Sequence, residues 1–193
     1  MEEIKVGFAF CGSYCTFDKA METLEKVHAR YGEVFPIISE RSAATDTRFG
    51  NAHDFMREME RICDKRVIDS IKAAEPIGPK KLFDVMVICP CTGNTLARLA
   101  AGITDSSVTM AAKAHLRNGR PLVIAVSTTD GLSGCAKNIA TLLDKKNVYF
   151  VPFRQDDPIK KPTSLVADFT YVPATIDAAL KGEQLQPLLL SAE

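Results

Sequence analysis

The chain has 193 residues, 46% of them apolar and 25% charged, which suits one soluble domain with a single sizeable core. Lysine plus arginine and aspartate plus glutamate balance at 24 each, so no global field draws the protein to nucleic acid or to an anionic membrane. No apolar stretch approaches ~18 residues, and the opening MEEIKVGFAF carries acids where a leader peptide needs bases, so the cytoplasm is the expected location.

In chain order, the first apolar run is IKVGFAF (4–10), ending in CGSYCT. FDKAMETLEKVHARYG then places Phe17, Met21, Leu24 and Val27 on one helical face and stops at Gly32. A second run, VFPII (34–38), leads into a long polar segment, about 39–54, that reads as a mobile loop. HDFMREMERICDKRVIDSIKAAE (53–75) reads as one helix, ended by Pro76, Gly78 and Pro79. The third run, LFDVMVIC (82–89), is followed by helical patterns in NTLARLAAG and SSVTMAAKAHLRNG. The fourth, PLVIAVS (121–127), is followed by LSGCAKNIATLLDKK, and VYFVPF (148–153) is the last. The remainder, about 153–193, is charged and proline-punctuated at first and reads as a surface-running segment with a short helix near 172–182.

Near-continuous Val/Ile/Phe runs mark strands covered on both faces, and their alternation with helices implies parallel pairing. The expected fold is a single α/β domain, residues 1–193, with a doubly wound, mostly parallel sheet of five or six strands and helices on both faces. Right-handed crossovers follow. The six cysteines lie in or beside apolar runs, which reads as reduced thiols filling crowded strand ends; the Cys11/Cys15 and Cys89/Cys91 spacings are not the usual zinc pairings, and no metal is expected.

Ligands of an open parallel sheet bind beyond the carboxyl ends of its strands. Gly12, Ser13 and Thr16 follow the first run, Ser39 and Arg41 the second, PCTGNT (90–95) the third and STTDG (127–131) the fourth. Hydroxyls, glycines and an amide from four strands suit a phosphate and a sugar or ribityl chain. The local alternative is plain capping, with Ser13 and Thr16 starting the first helix and Thr92 or Asn94 a later one. Neither GxGxxG nor GxxxxGK[ST] is present.

The early Gly12-Ser13 loop and Pro90-Cys91-Thr92-Gly93-Asn94-Thr95 after a central strand resemble the flavoprotein family that includes flavin-containing cysteine decarboxylases and flavin prenyltransferases. Cys91 and Gly93 stand where that motif carries Ala-type residues. The resemblance implies a Rossmann-like flavoprotein fold. It also implies FMN, or a phosphate in the same pocket, held by Gly12, Ser13, Ser39, Thr92, Asn94, Thr95 and Ser127. Within the family, TDTRFG (45–50), IDSIKAAEPIGPK (68–80), PCTGNTLARLA (90–100), TDSSVTMAAKAHLRNGRP (104–121) and PFRQDDPIKKPTSLVA (152–167) resemble one subunit of a two-subunit oxidoreductase of spore-forming bacteria. That implies a partner subunit carrying NAD(P), a pyridine dicarboxylate-type small molecule and a homo-oligomer. A dicarboxylate favours arginine, with Arg48 the first candidate, Arg41 the second and Asn94 a further substrate-binding group. Arg98, Lys113 and Arg117 read as a solvated helical face, Asp105 as a helix cap and His53 as an exposed residue before a helix. Two alternatives stay open: a stand-alone FMN-dependent decarboxylase or prenyltransferase, and a non-catalytic scaffold subunit.

Overall fold

The computed structural model of the chain describes residues 4–191. In order, its elements are β1 (Lys5–Cys11), α1 (Phe17–Tyr31), β2 (Glu33–Ile38), α2 (Glu40–Ala43), α3 (Ala52–Cys63), α4 (Ile71–Ala74), α5 (Ile77–Lys80) and β3 (Val85–Cys91). There follow α6 (Gly93–Ala101), α7 (Ser107–Leu116), β4 (Leu122–Thr128), α8 (Ala136–Leu143), β5 (Val148–Phe150), β6 (Phe153–Arg154), β7 (Leu165–Ala167) and α9 (Val172–Leu180).

β1 pairs in parallel with β2 and β3, β3 with β4, and β4 with β5, giving the spatial order β2-β1-β3-β4-β5. The doubly wound parallel sheet expected from the runs is therefore present, and its order reverses between β1 and β3. All seven residues of β3 are buried, as the innermost strand of a sheet covered on both faces requires. On α1, Phe17, Ala20, Leu24, Val27 and Tyr31 recur every three or four residues and are buried; Gly32, at φ 77°, ends the helix. α1 is tied to α9 through the Tyr31 hydroxyl, which donates to Asp177 Oδ1 at 2.7 Å and Pro173 O at 3.0 Å. α7 packs against α4, α5 and α6 on the other side, as right-handed crossovers dictate.

Three local expectations change. The 53–75 helix breaks after Cys63, where Asp64 takes the left-handed region at φ 48°. The chain is then drawn out along β2: Ile68 donates its N–H to Pro36 O and its carbonyl accepts from Ile38 N–H, so backbone pairing at a bare sheet edge outweighs helical continuation. The polar stretch 39–54 is shorter as a loop than expected, since α2 and the first turn of α3 occupy both its ends. The C-terminal segment does more than cross the surface. β7 runs antiparallel to the end of β4, with Ser127 opposite Val166, and β6 pairs with β7, so two very short strands extend the sheet beyond its parallel part.

Candidate functional site

Because the strand order reverses between β1 and β3, the loops after these strands leave on opposite faces and open a crevice at the carboxyl rim. Two adjoining cavities occupy it, of about 480 and 640 Å³, and Ser13, Thr92 and Asn94 line both.

The smaller cavity lies between the β1 loop, α2 and the start of α6. Gly12 sits there at φ +50°, and a Cβ on it would stand 2.7 Å from Thr92 Cγ2, so the close approach of these two loops needs glycine. Gly12 N–H donates to Ser42 Oγ at 2.9 Å, and Ser39 Oγ donates to the same oxygen at 2.9 Å. Both lone pairs of the buried Ser42 hydroxyl are thus engaged, and its hydrogen meets no acceptor among the described residues. Thr92 is the cap of α6, its Oγ1 accepting from Thr95 N–H. Arg41 lines this cavity, exposed and with no ion pair among the described residues. The neighbouring Glu40 is consumed elsewhere: its carboxylate accepts from Ser107 N–H at 3.0 Å, at the N-terminus of α7. Arg98 is held by Asp105 at 2.9 Å.

The larger cavity lies between the β1 loop, α6, the end of β4 and the 155–165 segment. Ser13, at φ 54°, donates to Ser127 O at 3.0 Å and Ser127 Oγ at 2.9 Å, joining the loops after β1 and β4 across the crevice. Gly93 is again a contact glycine: a Cβ there would stand 2.7 Å from Thr128 Oγ1 and 2.9 Å from Asp130 Oδ1. The Asn94 amide has no hydrogen-bond partner among the described residues. The far wall carries Asp130, Cys135, Asp156 and Lys161. That wall is anchored by Thr163 Oγ1 donating to Thr129 O at 2.7 Å and Ser164 Oγ donating to Thr128 O at 3.3 Å.

Beneath the rim, Cys11, Cys89 and Cys91 are buried. A hydrogen bond from the Cys91 thiol, with help from Thr95 and Thr92, brings Cys11 down to about 7 against the upward push of burial. Burial pushes Cys89 and Cys91 well above the ordinary thiol value.

Gly12, Ser13, Ser39, Thr92, Asn94, Thr95 and Ser127 all line one or other of these cavities. Ser13 and Thr16 make no side-chain cap to the first helix, so the capping alternative for that loop does not describe what their hydroxyls do. Thr92, one of the two candidates, does cap a helix, which begins at Gly93. Asp105 is not the cap of α7; Ser106 is, in a reciprocal pair with Thr109. Arg48 lines neither cavity: it is exposed, its guanidinium 4.8 Å from the centre of the Phe49 ring. Lys113 and Arg117 line a separate groove with Leu99 and Ile103. His53 is exposed in the first turn of α3. Ser42, Asp156 and Lys161 were not read from the sequence, and Asp130 only as part of STTDG (127–131). Ser42 had a local signal, three residues after Ser39 at a helix start.

The family model for Flavoprotein matches residues 1–168. The B subunit of dipicolinate synthase from Bacillus subtilis is 44% identical over 186 residues, covering 96% of this chain and 93% of that one. The crystal structure of the corresponding B subunit from Bacillus halodurans superposes with a TM-score of 0.89 at 42% identity, covering 98% of this chain and 97% of that one. The FMN-dependent cysteine decarboxylase SpaF shares the fold, with a TM-score of 0.68 at 18% identity over 93% of this chain and 97% of that one. The chain belongs to the Flavoprotein family.

Proposed function

We propose that this chain acts as the B subunit of a dipicolinate synthase, working with an A subunit in the NAD(P)-dependent oxidation of dihydrodipicolinate to dipicolinate in the mother cell of a sporulating bacterium. The observation that carries the reading is the 44% identity, over 96% of the chain, to the B subunit of a dipicolinate synthase. The rim described above supplies a place for the chemistry, and the nicotinamide belongs to the partner.

The residues at the rim fit FMN. Gly12 leaves open a cradle that a Cβ would fill, Ser42 has a free hydroxyl hydrogen, and the N-terminus of α6 favours an anion. With Arg41, these groups suit the phosphate end in the smaller cavity. Ser13, Thr92, Asn94 and Ser127 suit the neutral, hydrogen-bonding remainder toward the larger one. When bound, FMN supplies reversible two-electron redox chemistry. The larger cavity also leaves room for a small ring compound beside these loops, under the 155–165 segment.

The test is co-expression with an A subunit, purification of the pair, and absorbance in the pyridine dicarboxylate band with NAD(P)+ and a dihydropyridine dicarboxylate. Product formed only by the pair supports the reading; equal activity of the A subunit alone refutes a catalytic role and leaves a scaffold. A yellow protein that acts without an A subunit would favour the alternative of a stand-alone FMN-dependent decarboxylase.

A further inference from the structure

Asp156 presents an unusual combination at the outer wall of the larger cavity. Its Oδ2 holds Lys161 Nζ at 2.9 Å, while its Oδ1 is buried and has no hydrogen bond of good geometry among the described residues; burial pushes the carboxyl up, and Ser164 and Lys161 together bring it below the ordinary aspartate value. A buried acceptor that no protein group meets costs stability unless a water, an ion or a ligand meets it. The segment that carries both residues is built, not loose. Lys161 N–H donates to Asp157 O at 2.8 Å, Gln155 Nε2 donates to Pro162 O at 2.8 Å, and Thr163 and Ser164 bond to the end of β4. Lys161 is also the single cation among the described residues lining this cavity.

A vacant carboxylate acceptor next to an ammonium matches one kind of ligand end: an N–H donor with a carboxylate on the adjoining carbon. A dihydropyridine carboxylate in its N–H form has that arrangement. Resting on the functional reading above, we infer that Lys161 binds a substrate carboxylate and that Asp156 accepts the ring N–H proton during aromatisation. The balance is simple. The C–H bond at the saturated ring carbon breaks, its electron pair and hydrogen passing as hydride to the oxidised nicotinamide of the partner subunit. The N–H bond breaks, its electron pair stays on the ring, and the proton goes to Asp156 Oδ1. The product nitrogen has no hydrogen to donate, so once Asp156 has passed its proton to solvent the carboxylate faces the nitrogen lone pair and the contact that held the substrate is gone, which favours release.

The experiment uses the assembled pair, with kcat and KM for dihydropyridine-2,6-dicarboxylate oxidation and calorimetric binding of pyridine-2,6-dicarboxylate. Asp156→Asn keeps the shape and removes the base: kcat should fall about 10²-fold or more, with product affinity within a few-fold of the parent. Lys161→Ala should weaken product binding about tenfold and raise KM, with Lys161→Arg restoring most of both. Its side chain is 55% exposed, so the substitution does not threaten the fold. Pyridine-2-carboxylate, which keeps one carboxylate beside the ring nitrogen, should lose affinity in Lys161→Ala as the dicarboxylate does. Indifference of both ligands overturns the anchoring role. Wild-type kcat in Asp156→Asn, in a pair that needs both subunits, overturns the proton transfer while leaving the functional reading intact. A pair in which this chain is dispensable removes the reading and this inference together.

Discussion

His115 gives the sharpest quantitative test of the folded chain. It lies near the end of α7, 1% exposed, with its ring centroid 5.4 Å from that of Phe83 and Nε2 2.9 Å from Pro121 O. A carbonyl can only accept, so Nε2 carries the hydrogen. Burial pushes its pKa from 6.5 down to about 4; the Pro121 carbonyl pulls the other way and Arg120 adds a smaller push downward. The folded value is below the unfolded one, so the unfolded chain takes up the proton first as the pH falls. Stability is therefore fully present above about pH 6.5 and is lost progressively toward about pH 4. Between about pH 7.5 and about pH 5 the loss from this one group is about 2 kcal/mol. Urea unfolding at both values, on the parent and on His115→Gln, isolates it, because glutamine keeps a donor for Pro121 O and cannot titrate. The parent should lose about 2 kcal/mol more than the variant over that interval. Equal losses would show that the ring is not held neutral by burial and would refute the reasoning.

Three further outcomes bear on the rim and the thiols. Gly93→Ala should lower the melting temperature and weaken FMN binding measured by flavin fluorescence. A Cβ 2.7 Å from Thr128 Oγ1 costs ~1–3 kcal/mol of overpacking against a helix-propensity gain of up to ~1 kcal/mol, and an unchanged melting temperature would show that the β4 loop yields freely. Arg41→Ala should weaken FMN about tenfold while leaving riboflavin unchanged, since the phosphate end alone meets this cation; a matched loss for both would move the phosphate elsewhere. In the native protein one thiol, Cys15, should react rapidly with a disulfide reagent and the other five only on unfolding, because Cys15 is exposed and the rest are buried. A second fast thiol would mean that Cys11, through the smaller cavity, or Cys135, through the larger, is open to solvent.

The strands of the parallel sheet were legible because a strand buried on both faces must be apolar at every position, and such runs stand out over any helix period. β6 and β7 left no trace: two and three residues carry no pattern, and they exist because Phe153 and Leu165–Ala167 find partners, not because of their own propensity. The break after Cys63 was invisible for a similar reason, since it is set by the bare edge of β2 rather than by the residues that break. The same division runs through the site. Residues directly after a strand are placed by the strand, so Gly12, Ser13, Ser39, Asn94 and Ser127 could be assigned to one rim from chain order alone. Arg48 was chosen for its chemistry within a polar stretch whose path chain order does not fix, and the fold turns it toward Phe49. Asp156 and Lys161 show the converse. They look like ordinary charges in a proline-punctuated segment. They reach the cavity only because the antiparallel pairing of Ser127 with Val166 folds that segment back over the end of β4. Long-range backbone pairing therefore decides which charges face the ligand, while local sequence decides which hydroxyls do.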